Sequence, residues 1–223
     1  MRYAIFSDLH DNQQGLMAVL TDAEQWQADS LIYLGDVGRE ARLFLALQER
    51  QIACTFGNWE VSGWQRLPTH LAAWVGEWPA TIQRGTAIFC HATPDMPATV
   101  TKTAAASTYM AGGQSWHTLF PRLHRSETAR WAAFAVLEET NRQVAFHGHT
   151  HVQELYRWES DETGHRRLQV VRTPGEFTMT AGHTTVPNRY LVGVGSAGAP
   201  DDGPGLCYAL YDDVTQQVIL RRL

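Results

Sequence analysis

The stretch Phe146-His147-Gly148-His149-Thr150-His151 follows directly on the apolar pair Val144-Ala145. A strand that ends and turns there would throw His149 and His151 to one side of a sheet edge, with their imidazoles set to grip a metal ion. Such a pair needs carboxylate and amide partners from elsewhere in the chain. Asp8 with His10, then Asp36, Asn58 and His91, supply them, and each follows an apolar run of its own. In open α/β sheets, ligands bind beyond the carboxyl ends of the strands, so residues scattered in sequence can meet along one edge. Carboxylate and amide oxygens combined with imidazole suit manganese, iron, zinc or nickel, whereas an all-oxygen cage would suggest calcium or magnesium. One carboxylate is enough to bridge two ions, and Asp36, after the second run, is the natural candidate. Each piece alone is a weak signal, since Asp-x-His and Gly-Asn are common. The ordered set of seven is a strong one.

The elements that must position these residues read as α/β. Tyr3 to Phe6 is strand-like and is followed by Leu16, Leu20 and Ala23 at helical spacing, with Asn12 as N-cap. Leu31 to Leu34, a helix carrying Leu43, Ala46 and Leu47, and Ile52 to Phe56 complete a strand–helix–strand–helix–strand pattern. That order predicts a parallel sheet with crossover helices. Trp64 to Trp78 is irregular, with room for one short helix. A hairpin over Ala80–Gln83 and Thr86–Cys90 runs into His91. Residues 92 to 125 carry weak periodicity and read as a loop-and-helix segment over the site, and Ser126 caps a helix reaching about Asn141. The remainder is strand-rich: Val152–Trp158, Arg167–Val171, Tyr190–Val194, Leu206–Tyr211 and Val218–Leu220, with a loop between the second and third of these. The expectation is one domain over 1–223, with a cap or insert around 92–140.

Composition sets bounds. The chain has 223 residues, 44% hydrophobic, with eight tryptophans, which suits a packed globule. Net charge is −5 and there is no dense Lys/Arg run, which argues against stable nucleic-acid binding but not against a small phosphorylated substrate. Cys54, Cys90 and Cys207 are far apart and odd in number, so neither a disulfide framework nor structural zinc is expected. No segment reaches the ~20 apolar residues of a membrane span and no signal region follows Met1, so a cytoplasmic location without membrane association is expected.

The order Asp8-Leu9-His10, Gly35-Asp36, Gly57-Asn58, His91 and Gly148-His149-Thr150-His151 resembles the calcineurin-like metallophosphoesterase superfamily. The segment Val194-Gly195-Ser196-Ala197-Gly198-Ala199-Pro200 resembles the Gly-Ser-Val-Gly-x-Pro stretch of its small prokaryotic phosphodiesterase branch. The resemblance implies a four-layer α/β/β/α sandwich with two mixed sheets. It implies two divalent metal ions, with manganese favoured and iron, zinc, nickel or magnesium open. One ion falls to Asp8, His10, Asp36 and His151, the other to Asp36, Asn58, His91 and His149. The mechanism it implies is direct hydrolysis by a hydroxide bridging metals ~3.5–4 Å apart, with no covalent enzyme intermediate.

One departure matters. The third motif ordinarily reads Gly-Asn-His-Asp/Glu, and here Trp59 stands between Asn58 and Glu60. Indole donates through N–H but cannot relay a proton, so the histidine's role is lost and Glu60 loses its partner. That substitution favours a phosphodiesterase. A phosphomonoesterase or a dinucleoside polyphosphate hydrolase is the alternative, and a non-catalytic metal- or nucleotide-binding module is a third reading. Asn58 and Arg39 are the candidates for orienting the phosphoryl group, Arg39 as a bidentate clamp. Arg39 and Trp59 are the candidate substrate contacts, Trp59 by stacking on a base if the substrate is a nucleotide. His147 is expected to pack beside the metal pair, and His117 could reach the site from the cap. Oligomeric state is not readable. A metallo-β-lactamase-type site would need His-x-His-x-Asp-His, but Val152 and Gln153 follow His151.

Overall fold

The computed structural model describes every residue of the chain except 173, 174 and 184. In chain order come β1 (Arg2–Phe6), α1 (Gln13–Gln25), β2 (Ser30–Tyr33), α2 (Ala41–Glu49), β3 (Ala53–Cys54) and α3 (Asn58–Gly63). A 3₁₀ turn over Trp64–Arg66 and α4 (Thr69–Gly76) lead into the hairpin β4 (Thr81–Arg84) and β5 (Ala87–Cys90). The helices α5 (Thr103–Ala111), α6 (Trp116–Leu119) and α7 (Glu127–Glu139) precede β6 (Val144–His147). Eight further strands close the chain: β7 (Gln153–Ser160), β8 (Arg166–Arg172), β9 (Glu176–Thr178), β10 (Gly182–His183), β11 (Val186–Pro187), β12 (Arg189–Val194), β13 (Cys207–Asp212) and β14 (Gln217–Arg222).

Two six-stranded mixed sheets result. The first runs β3-β2-β1-β13-β14-β9, with β1, β2 and β3 parallel. The second runs β4-β5-β6-β12-β7-β8, with β5, β6 and β12 parallel. Strand alternation decides the layers. From β1, Tyr3 and Ile5 face the second sheet and join Phe89, Phe146, Val192 and Tyr211 in the central core. Ala4 and Phe6 face the other way, onto Leu16 and Val19 of α1 and Leu43 and Leu47 of α2. The outer face of the second sheet, with Ile88, Ala145 and Leu191, is covered by Ala133, Phe134 and Leu137 of α7. The layers are helix, sheet, sheet, helix.

Several local expectations need correction. The third run holds strand geometry only at Ala53–Cys54, because after Thr55 the Phe56 amide bonds Pro79 O and the chain leaves the sheet. Trp64–Trp78 holds the one short helix expected there, α4, and adds a 3₁₀ turn before it. The loop expected before Tyr190 holds β9, which edges the first sheet, and the small hairpin β10–β11. The three cysteines are free and buried. Among the described residues, no helix is long and apolar enough to cross a membrane.

Phe146 joins the two sheets just before the ligand motif. It is fully buried, stacks on Phe89 at 5.4 Å and meets Tyr211 of the opposite sheet at 5.1 Å. Phe146→Ala should therefore cost about 3–5 kcal/mol in urea unfolding. A loss below about 1 kcal/mol would contradict this account of the core.

Candidate metal centre

The seven ligand candidates converge because their strands are neighbours. Asp8 and His10 follow β1, Asp36 follows β2 and Asn58 follows β3, while His91 follows β5 and His149 and His151 follow β6. The loops after β1 and β2 are zipped together by Asp8 N–H to Gly35 O (2.9 Å), His10 N–H to Asp36 O (3.2 Å) and Asp11 N–H to Val37 O (2.9 Å). Hydrogen bonds also join the loops of one sheet to those of the other. His149 N–H donates to Asp8 Oδ2 (2.9 Å), and His91 Nδ1–H donates to Leu34 O (2.9 Å).

The donors gather into two groups, Asp8 with His10 and His151, and Asp36 with His91 and His149, each within 4.8 Å. Asn58 joins the second, its Oδ1 lying 3.2 Å from His91 Nε2. A carbonyl oxygen can only accept, so ring contacts to carbonyls fix tautomers. His91 Nδ1, His149 Nε2 and His151 Nδ1 donate to Leu34 O (2.9 Å), Phe120 O (3.0 Å) and Ala199 O (2.6 Å). The opposite nitrogen of each ring is left for a cation, the arrangement by which outer partners orient metal-binding imidazoles. In the first group, His10 Nε2 and His151 Nε2 lie 3.0 Å apart, and the fully buried Asp8 Oδ1 beside them accepts no hydrogen bond. Lone pairs and a carboxylate oxygen converging there fit a divalent ion.

The local charges say the same. Burial opposes ionisation of Asp8, but His151 and His91 hold its carboxyl well below the usual range. Burial pulls His91 and His151 down, yet Asp36 holds His91 up to about 9 and Asp8 raises His151. Burial pushes His149 down to about 3 and lowers His10 as well. Each buried carboxylate thus raises one neighbouring imidazole while burial lowers the other, the pull toward positive charge that a bound cation would satisfy.

Backbone conformation marks the same positions. Asp8, His10, Asp36, His149 and His151 all have positive φ, between 45° and 62°. Such left-handed conformations cost on the order of 1 kcal/mol or more each and persist where the surroundings enforce them. The glycines beside the ligands serve close approach. A Cβ on Gly148 would lie 1.9 Å from Ser7 Oγ, and one on Gly57 would lie 2.2 Å from Asp36 Oδ1.

Two braces escaped sequence reasoning. Glu60 is buried, and its carboxylate accepts from Asp36 N–H (2.9 Å), Val37 N–H (2.9 Å) and Gly57 N–H (2.7 Å). The acid expected to have lost its partner holds two ligand loops together instead, and burial with the nearby Asp36 charge pushes it up to about 7. Ser196 donates to Asp8 O (2.7 Å) and accepts from Gly198 N–H and Ala199 N–H, so the C-terminal Ser-Ala-Gly-Ala segment shapes the loop that orients His151. Only the resemblance of that segment hinted at its place.

The other candidates fall around the centre. The Trp59 ring meets His10 edge-on at 4.9 Å, and the Arg39 guanidinium lies over its face at 5.3 Å. Trp59 N–H donates to Asp36 Oδ1 (2.8 Å). His147 is buried beside the pair, where burial pushes it down to about 4. His117 is exposed and lines a separate cavity with Thr93 and Arg122. Phe120, within the expected insert, packs against His91 and His149.

Fold and site together define an α/β/β/α sandwich with a centre built for divalent cations. Residues 1–215 match the calcineurin-like phosphoesterase superfamily domain, and the chain belongs to that superfamily. A metallophosphoesterase from Sphaerobacter thermophilus shares its fold at a TM-score of 0.68 and 22% identity, over 100% of this chain and 88% of that one. An archaeal phosphodiesterase aligns at 0.52 and 11% identity over 100% of both chains. The cold-active protein-tyrosine phosphatase of a Shewanella species aligns at 0.54 and 14% identity, over 95% of this chain and 75% of that one. No curated protein matches the chain. The family holds a dinuclear divalent centre, and the two donor groups fit it.

Glu60→Ala strands three buried N–H donors at about 1–3 kcal/mol each and should lower unfolding stability by about 3 kcal/mol or more. Glu60→Gln keeps one acceptor oxygen and should lose less. Equal losses, or none, in chemical denaturation would contradict the brace.

Proposed function

We propose that this chain hydrolyses phosphodiesters at a dinuclear centre held by Asp8, His10, Asp36 and His151 on one side and by Asp36, Asn58, His91 and His149 on the other. The diester preference rests on Trp59, which stands edge-on to His10 where the resemblance places a histidine. Divalent ions bound there would supply an activated water and neutralise phosphoryl charge. Oxygen and imidazole donors without sulfur favour manganese, with iron, zinc, nickel and magnesium as alternatives. Water oxygen bonds to phosphorus, the ester P–O bond breaks, and the leaving oxygen takes its proton from solvent.

The chain's own residues bind and orient. The amide of Asn58 and the guanidinium of Arg39 steady the phosphoryl oxygens, and the Trp59 indole shields one wall. Glu60 does not orient a proton donor, because its oxygens are engaged by three backbone amides. A positioned general acid ordinarily contributes ~10²–10⁴-fold. Its loss weighs most on poor leaving groups. A diester also carries less charge than a monoester and asks less of a missing cation.

Residues 1–223 act as one domain whose insert, about 92–140, supplies the wall carrying Trp116 and Phe120 toward the centre. A small phosphoester is the substrate. Three free, buried cysteines suit a reducing, cytoplasmic setting.

Asp36→Ala should remove the shared ligand, leaving less than one bound ion per chain by elemental analysis and activity down by at least ~10³-fold. Retention of two ions with full activity would refute the assignment. Rates on matched monoesters and diesters should fall steeply as leaving-group pKa rises, with diesters preferred throughout. A wild-type preference for unactivated monoesters would overturn the reading of Trp59.

A further inference from the structure

A cavity of about 450 Å³ opens beside the metal ligands, walled by Arg39, Phe44, Trp59, Trp64, Arg66 and Trp116. Its volume lies within the ~300–1,000 Å³ usual for small-molecule sites. Asn58 also lines it, so the cavity and the donor groups share Asn58, and Trp59 touches both. A group occupying it would be covalently within reach of a phosphorus atom at the centre.

We propose that this cavity is the subsite for the non-reacting part of the substrate and that it takes a nucleotide: a flat base against Trp116, with a second phosphate between Arg39 and Arg66. The inference rests on the phosphoesterase reading of the adjoining centre and names the substrate class for it. Its first support is aromatic. Trp116 is 43% exposed, and its ring is held from behind by stacking on Phe120 at 5.7 Å and 28°. Phe120 in turn is anchored at the centre, where its carbonyl accepts from His149. An indole fixed in this way is a platform for a planar ring, because every base offers a π-face that stacks on an aromatic side chain.

The second support is charge. Arg39 and Arg66 are exposed, and among the described residues neither forms an ion pair with a carboxylate. Two uncompensated guanidinium groups on one cavity of a chain with net charge −5 single out an anion. Arg39 is already oriented, lying over Trp59 at 5.3 Å. Guanidinium recognises phosphate bidentately, so a second phosphate is the fitting partner. An apolar ester would leave both cations unused, and an aliphatic phosphoester would leave the indoles bare. A nucleotide uses both.

Calorimetric binding to the metal-loaded protein tests this with non-hydrolysable probes, each protein first checked for an unchanged unfolding midpoint. α,β-Methylene-ADP should bind at least about 10-fold tighter than the methyl monoester of methylenediphosphonate, which offers the same number of ionisable oxygens to metals and arginines without a base. Trp116→Ala should erase most of that difference, while Trp116→Phe, which keeps a stacking face, should retain most of it. Arg66→Ala should weaken α,β-methylene-ADP about 10-fold and leave adenosine unchanged. Equal affinity for the two probes, or a difference indifferent to Trp116→Ala, would overturn the subsite. Wild-type hydrolysis of bis(p-nitrophenyl) phosphate, measured alongside, reports the phosphoesterase reading separately. Intact hydrolysis with no preference for the nucleotide probe sinks the subsite alone. Nucleotide binding without hydrolysis upholds the subsite while removing the reading beneath it.

Discussion

Asp8 and Asp36 are carboxylates that water scarcely reaches, at 0% and 2% exposure, and among the described residues neither pairs with lysine or arginine. An unpaired buried charge is expensive. Here it faces imidazoles whose far nitrogens are tied to backbone carbonyls, which leaves the near ones as electron-pair donors. The centre therefore concentrates anions and lone pairs where only cations relieve them. Much of the surrounding structure serves to hold that arrangement closed.

The holding is done by the backbone. The loops after β1 and β2 bond to each other, Glu60 ties the second loop to the third, and Ser196 ties the C-terminal segment to the first. Five of the candidate ligands adopt left-handed conformations that an isolated loop would not keep. The two sheets contribute ligands to both groups, so the packing of Phe146, Phe89 and Tyr211 sets the distance across the centre as well as stabilising the core.

The convergence of the seven candidate residues was legible because each lies directly after an apolar run. Period and position carry that signal without any contact being known, and the same holds for the capped helices α1 and α7. What escaped was tertiary in origin. Nothing in Gly57-Asn58-Trp59-Glu60 says that the glutamate turns inward to three amides, because its acceptors' partners lie over 20 residues upstream as well as next door. The brevity of β3 follows from a bond to Pro79, and β9 pairs with a strand near the C-terminus, both long-range contacts. Residues 92–125 gave little period because α5 and α6 are short and α5 is apolar on no single face.

Two cations should sit in the two donor groups and share Asp36. Crystals grown with manganese and measured at its absorption edge address this directly. The account predicts two anomalous peaks per chain, one among Asp8, His10 and His151, the other among Asn58, His91 and His149, with Asp36 touching both. A single peak, or peaks lying away from these side chains, would contradict it.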